Sequence, residues 1–185
     1  MNETLKTIAQ RYSCRDFADT PVTDEQVETI VKAGLAAPSG NNSQPWHIII
    51  IRDKAFLDGY DVEGMSILAA MEDKTMYERM MGRGGKLIYN TPCMAMILSN
   101  GAPPAMLDCG ILCQTVVLAA QSLGLNTCVV GMGGIPLKGA KGKEYKERLK
   151  FPEGYDYAIG VLIGTGNSGK EPHELDMAKV TYINS

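Results

Sequence analysis

Apolar positions along this chain follow two rhythms, a three-to-four-residue spacing and short unbroken runs, so helices and strands are expected to alternate. The helical spacing predicts a first helix over residues 3–11 and a second over 24–37. Trp46-His47-Ile48-Ile49-Ile50-Ile51 predicts a strand. Residues 54–81, rich in Met, Glu and Lys, read as one or two helices, with Gly59 and Gly64 expected to break the pattern. Residues 82–86 read as a loop, and 93–99, reached through Pro92, as a buried strand. A long helix over 106–123, ended by Gly124, is apolar on nearly every face and is expected to be buried. Residues 126–130 predict a further strand, a helix ends over 145–150, and 155–163 form a last strand before a polar tail. No internal repeat interrupts this order.

Bulk properties narrow the class. The length of 185 residues suits a single domain with its own core. A net charge of −3, with no basic block, argues against nucleic acid as a partner. No apolar run reaches about 18 residues and no leader pattern is seen, so neither secretion nor a membrane span is expected. Five cysteines, an odd number at irregular spacings, point to a reducing, cytoplasmic setting.

Two segments carry candidate chemistry. Pro38-Ser39-Gly40-Asn41-Asn42-Ser43-Gln44-Pro45-Trp46 has no charge, two prolines and a dense run of small amide and hydroxyl side chains. It suits a wall against a flat polar ligand; a helix-stopping turn before a strand explains the same residues. Arg11-Tyr12-Ser13-Cys14-Arg15 is expected to close the first helix, where a cation would complement the helix dipole. If Tyr12 and Cys14 turn inward, Arg11, Ser13 and Arg15 share a side and suit a phosphate or a polyol chain.

Other motifs fail on inspection. The run from Gly164 to Lys170 fits GxGxxG and most of a P-loop. Yet Glu171 stands where a Ser or Thr is needed, Pro172 follows, and the remaining residues leave no room for a βαβ unit. Gly82 to Lys86 fails likewise, with Leu87 in the hydroxyl position. No metal site is expected: Cys109 and Cys113 fit small core residues, and His47 and His173 lack partners at ligand spacing. Without a Gly-x-Ser-x-Gly elbow either, a borrowed cofactor is the simplest source of chemistry.

The Arg-x-Ser-x-Arg segment, Pro21-Val22-Thr23-Asp24-Glu25-Gln26-Val27, Ala37 to Trp46, Leu107-Asp108-Cys109-Gly110 with its long helix, and Val130-Gly131-Met132-Gly133-Gly134 follow one another in this order. Together they resemble the FMN-dependent nitroreductase family over most of the chain. The resemblance implies an α+β fold, a central, mostly antiparallel sheet flanked by helices, in a homodimer that exchanges C-terminal arms. The arm would be residues 165–185; Lys179 to Ile183 has strand character, though a frayed terminus would read the same way. It implies FMN as cofactor and NADH or NADPH as donor. A ping-pong hydride transfer through flavin N5 would serve nitroaromatic, quinone or similar small-molecule acceptors, with no side chain as catalytic acid or base.

Arg11, Ser13 and Arg15, with Tyr12 among them, become candidates for the phosphate and ribityl chain, joined by Lys170 unless it is a lone flexible cation. Pro38, Ser39, Gly40, Asn42 and Gln44 would lie against the isoalloxazine of the other subunit. Val130, Gly131, Met132 and Gly133 would offer a backbone N–H to N5, or simply turn the chain. Lys86 would sit near N1 and O2, or in solvent. Residues 54–86 form the natural lid. A reductive dehalogenase-like enzyme and a non-catalytic flavin-binding protein are the alternatives; the acceptor and the choice of NADH or NADPH stay open.

Overall fold

Unbroken apolar runs become strands covered on both faces. A computed structural model of the protein describes residues 1–171 and 174–183, so His173 lies outside the described residues. Four strands, β1 (Trp46–Ile51), β2 (Cys93–Ser99), β3 (Asn126–Val130) and β4 (Asp156–Gly164), form an antiparallel sheet in the order β1-β2-β4-β3. β2 is buried along its whole length. Its Cys93, Ala95 and Ile97 face one apolar cluster, and Met94, Met96 and Leu98 face another on the opposite side.

The first cluster is covered by α2 (Asp24–Leu35) and α5 (Ala105–Ser122), through Ile30, Leu112, Val116 and Val117. The second is covered by α3 (Lys54–Ala70), α4 (Thr75–Met81) and α6 (Gly142–Arg148), through Phe56, Leu57, Tyr60, Met80 and Tyr145. Local signals set several ends. α1 (Glu3–Gln10) starts where the Asn2 side chain accepts from Leu5 N, and Thr23 with Gln26 forms a reciprocal capping box on α2.

Three expectations are corrected. α3 runs unbroken through Gly59 and Gly64. Gly59 is exposed with open space around it, whereas a Cβ on Gly64 would lie 2.4 Å from Leu87 Cδ2, so packing rather than a break explains that glycine. α5 is not buried all round: Met106 and Leu107 are 59% and 71% exposed, and Gly110 and Gln114 share their outward side. By length and a hydropathy of 1.3 this helix could cross a bilayer, yet its Leu112, Val116 and Val117 are committed to the core. In the tail, a 3-10 turn at Met177–Lys179 and no strand is found among the described residues.

Asp61, buried on α3, accepts from Ile88 N at 2.7 Å and so ties the segment after α4 under the helix. Burial pushes its carboxyl above the usual Asp range, against the opposing pull of that N–H and of Lys86. A carboxyl with a raised folded pKa holds its proton more tightly folded than unfolded. Its contribution to stability is therefore full below the ordinary Asp range and lost as pH rises through the folded value. The unfolding free energy of wild type minus that of Asp61→Asn is expected to fall with pH over this window. A difference independent of pH would contradict it.

Candidate functional site

The helix ends one residue earlier than its pattern suggests, and this sets the geometry of the first candidate segment. The last turn of α1 holds no basic residue, and Arg11 is already extended. From there the chain runs along the start of β3 and the end of β4. Ser13 pairs with Thr127 and Phe17 with Gly166, while Cys14 N donates to Thr127 O and Ala18 N to Thr165 O, both at 2.8 Å. Extended backbone alternates its side chains. Cys14 is therefore buried and Tyr12 packs against the core, while Arg11, Ser13 and Arg15 share the other side, with Arg15 exposed.

The glycine-rich run after β4 is laid against the same segment. Tyr12 Oη donates to Ser168 O at 2.6 Å, and Asn167 donates to Asp16 through its backbone N and through Nδ2, at 3.0 and 2.8 Å. Gly166 leaves room for this approach: a Cβ there would meet Tyr12 Oη and Asn126 Oδ1 at 2.9 Å. Lys170, next but one after the Ser168 tether, is exposed and leaves from the same place.

Cys128, inside β3, reports a cation that sequence reasoning passed over. Burial raises its thiol pKa, while Arg15 and Arg83 both pull it down. The charge of Arg83 thus acts on a thiol of β3. Lys86 instead lines a cavity of about 300 Å³ with Asp61, Met65, Tyr77 and Met81, between α3 and α4. Nothing in the residue pattern of the loop separates these two cations.

At the other end of β3 the chain passes Val130 and exposed Gly131 into a 3-10 turn at Met132–Gly134, where Gly133 and Gly134 are buried. From Thr127 to Gly131 an extended strand rises about 13 Å. β3 is an edge strand. The cationic segment and the glycine turn therefore bracket one open edge, a layout that fits a ligand with an anion at one end and a flat hydrogen-bonding ring at the other.

The neutral wall is tied by its own hydrogen bonds and by one to α5. Asn41, Asn42 and Gln44 adopt left-handed φ of 53°, 54° and 45°, which asparagine tolerates best. Gln44 N donates to Ser39 Oγ at 2.9 Å, and Gln44 Nε2 to Asn42 Oδ1 at 3.0 Å. Gly40 N donates to both carboxylate oxygens of Asp108, at 3.2 and 3.3 Å. Pro38, Gly40, Asn42 and Gln44 are exposed and Ser39 half-buried. Asp108, 3% exposed in the first turn of α5, was no site candidate, although an acid at the start of an apolar helix was a visible signal. Asp108→Ala is expected to remove the charge-assisted tie to Gly40 N, costing about 1.5–3 kcal/mol. Urea unfolding would measure this, and an unchanged midpoint would show the wall to be held by other contacts.

Among the described residues no group of three His, Cys, Asp or Glu side chains gathers as for a metal. All five cysteines are buried and unpaired.

Comparison with known proteins gives the family of the chain. A nitroreductase from Desulfitobacterium hafniense, solved with bound FMN, is 45% identical, superposes with a TM-score of 0.96 and covers 100% of both chains. The NADPH-flavin oxidoreductase of Vibrio harveyi is 30% identical over 92% of this chain and 69% of its own length. The FMN reductase [NAD(P)H] of Bacillus subtilis is 28% identical over 100% of this chain and 76% of its own. The model of the Nitroreductase family matches residues 8–165, which leaves only the first few residues and the tail outside it, and the chain therefore belongs to the nitroreductase family.

Proposed function

We propose that the protein is an FMN-dependent oxidoreductase that draws electrons from NADH or NADPH and reduces nitroaromatic, quinone or similar flat acceptors. The observation that carries this reading is the open edge of β3, with the Arg11, Ser13 and Arg15 side chains at its start and the glycine turn at its end. Bound there, FMN would supply the redox step, taking a hydride at N5 from the nicotinamide and giving it to the second substrate in a ping-pong cycle.

The chain's own residues bind and orient. Arg11 and Arg15 hold the phosphate with Lys170, and Ser13 and the Tyr12 segment serve the ribityl chain. The amides of the turn from Val130 to Gly133 face the ring, and Arg83 or Lys86 supplies positive charge beside it. The wall of Pro38, Ser39, Gly40, Asn42 and Gln44 comes from a second copy. The wall leads into β1 and the turn leaves β3, opposite edges of the sheet separated by three strand spacings, roughly 14 Å. The outward side of α5, with Met106 and Leu107, and the exposed Leu5 and Ile8 of α1 suit such a homodimer. Residues 54–86 act as a lid whose methionines adapt to varied flat acceptors, and 165–185 as an arm on the partner. Unpaired buried cysteines fit a cytoplasmic protein.

The test is the absorbance spectrum of the purified protein before and after anaerobic NADH and NADPH. A flavin band near ~450 nm that bleaches with either donor supports the reading. A band that neither donor changes would remove the donor assignment. Failure to take up added FMN would overturn the whole reading.

A further inference from the structure

Two tyrosines outside the proposed site meet behind the glycine turn. Tyr60 of α3, 0% exposed, donates its Oη to Gly133 O at 2.6 Å. Tyr157, near the start of β4, donates its Oη to Val130 O. Burial pushes both phenols above the ordinary tyrosine range, so both are protonated donors at neutral pH.

Simple strand alternation would not put Tyr157 there. In a regular strand it would share a face with Ile159, Val161 and Ile163. Those three, and Ala158 with them, pack in the cluster under α5, whereas Tyr157 packs in the opposite cluster with Tyr60 and Met94. The pairing of β2 with β4 explains this: Ile97 faces Ile159 but Leu98 faces Tyr157, so Ala158 is an extra residue. This bulge turns Tyr157 to the other face; bulges beside functional sites commonly re-aim a side chain in this way.

The backbone opposite is shaped to receive the ring. A Cβ on Gly134 would lie 2.6 Å from Tyr157 Cδ1, and on Gly133 and Gly160 it would lie 2.8 and 3.0 Å from Tyr157 Oη. A bulge, three bare α-carbons and two hydroxyls thus converge on two carbonyls of one short turn. A trans peptide sets each N–H opposite the preceding carbonyl. Holding Val130 O against Tyr157 therefore aims the Gly131 N–H away from Tyr157, and Gly131 lies on the exposed side of the turn.

We propose that Tyr60 and Tyr157 are positioning residues for the flavin ring: they fix the peptide planes of the turn, and so the direction of its amides, without touching the cofactor. This rests on the reading of the β3 edge as an FMN site.

Tyr60→Phe and Tyr157→Phe, singly and together, test it, with Tyr145→Phe as control. Tyr145 belongs to the same aromatic group, its ring centroid 5.0 Å from that of Tyr60. Among the described residues its hydroxyl makes no bond to the turn. In flavin-free protein, amide exchange of residues 131–134 is expected to quicken about tenfold in either test variant and to stay at the wild-type rate in Tyr145→Phe.

FMN affinity is expected to fall about three- to tenfold in each test variant. The midpoint potential of the bound flavin should move as well, by about 30 mV if the oxidised and reduced forms differ tenfold in their loss. Wild-type exchange, affinity and potential in both test variants would overturn the proposal while leaving the FMN reading intact. Equal changes in Tyr145→Phe would also overturn it, since they would mark general loosening. A wild-type protein that takes up no FMN would overturn the reading, and this inference with it.

Discussion

Arg11→Ala combined with Arg15→Ala is expected to give a folded but colourless protein. Both side chains stand on the outward side of an extended segment whose inward residues, Tyr12 and Cys14, carry its packing. Neither arginine forms a salt bridge among the described residues, and Arg15 makes only a 3.5 Å contact with Ser13 O. Removing them therefore takes little from the fold. At the proposed site it takes two charge-assisted phosphate contacts from FMN, each worth about 1.5–3 kcal/mol, which together amount to roughly a hundred- to ten-thousandfold in affinity. Arg11→Lys with Arg15→Lys should fall between, because lysine keeps the charge and loses the bidentate fork. Fluorescence titration of flavin-free protein with FMN gives the affinity. A double alanine variant that purifies fully yellow would remove these residues from the phosphate site.

The largest loss of stability is expected from Gly142→Ala. Gly142 opens α6, three residues beyond the 3-10 turn at Pro136–Lys138. A Cβ there would lie 2.1 Å from Leu137 O and 2.7 Å from Leu137 C, both backbone atoms that no side-chain rotation can clear. α6 would have to separate from the turn, whose Leu137 is in the core and whose Pro136 packs beside Gly64 of α3. The expected cost is roughly 3–4 kcal/mol, or about 10 °C in Tm. Gly59→Ala is the matched comparison. It has open space around it on α3 and should gain about 0.5–1 kcal/mol from helix propensity. Calorimetry of the two variants decides the matter, and a Gly142→Ala protein melting with wild type would mean that the backbone there shifts freely.

What was legible in the chain was local. The strands at 46–51, 93–99 and 126–130 were bounded correctly, because short runs rich in apolar and β-branched residues between turn residues already state their length. The inward turn of Tyr12 and Cys14 was foreseeable from alternation, although their segment was assigned to a helix end; a pairing with Thr127, far away in sequence, made it extended. Glycines misled where their reason was distant, as at Gly64 under Leu87.

By itself, then, the sequence determined most of the helices and strands, the family, and the two polar segments on which the proposed site depends, since periodicity, turn chemistry and charge act between near neighbours. Only the tertiary structure decided which carboxylate holds Gly40 and which hydroxyls brace the glycine turn. Asp108, Tyr60 and Tyr157 each reach a partner in another element. A bulge of one residue reversed the face of Tyr157, and such a change depends on how two strands pair rather than on the residues within either.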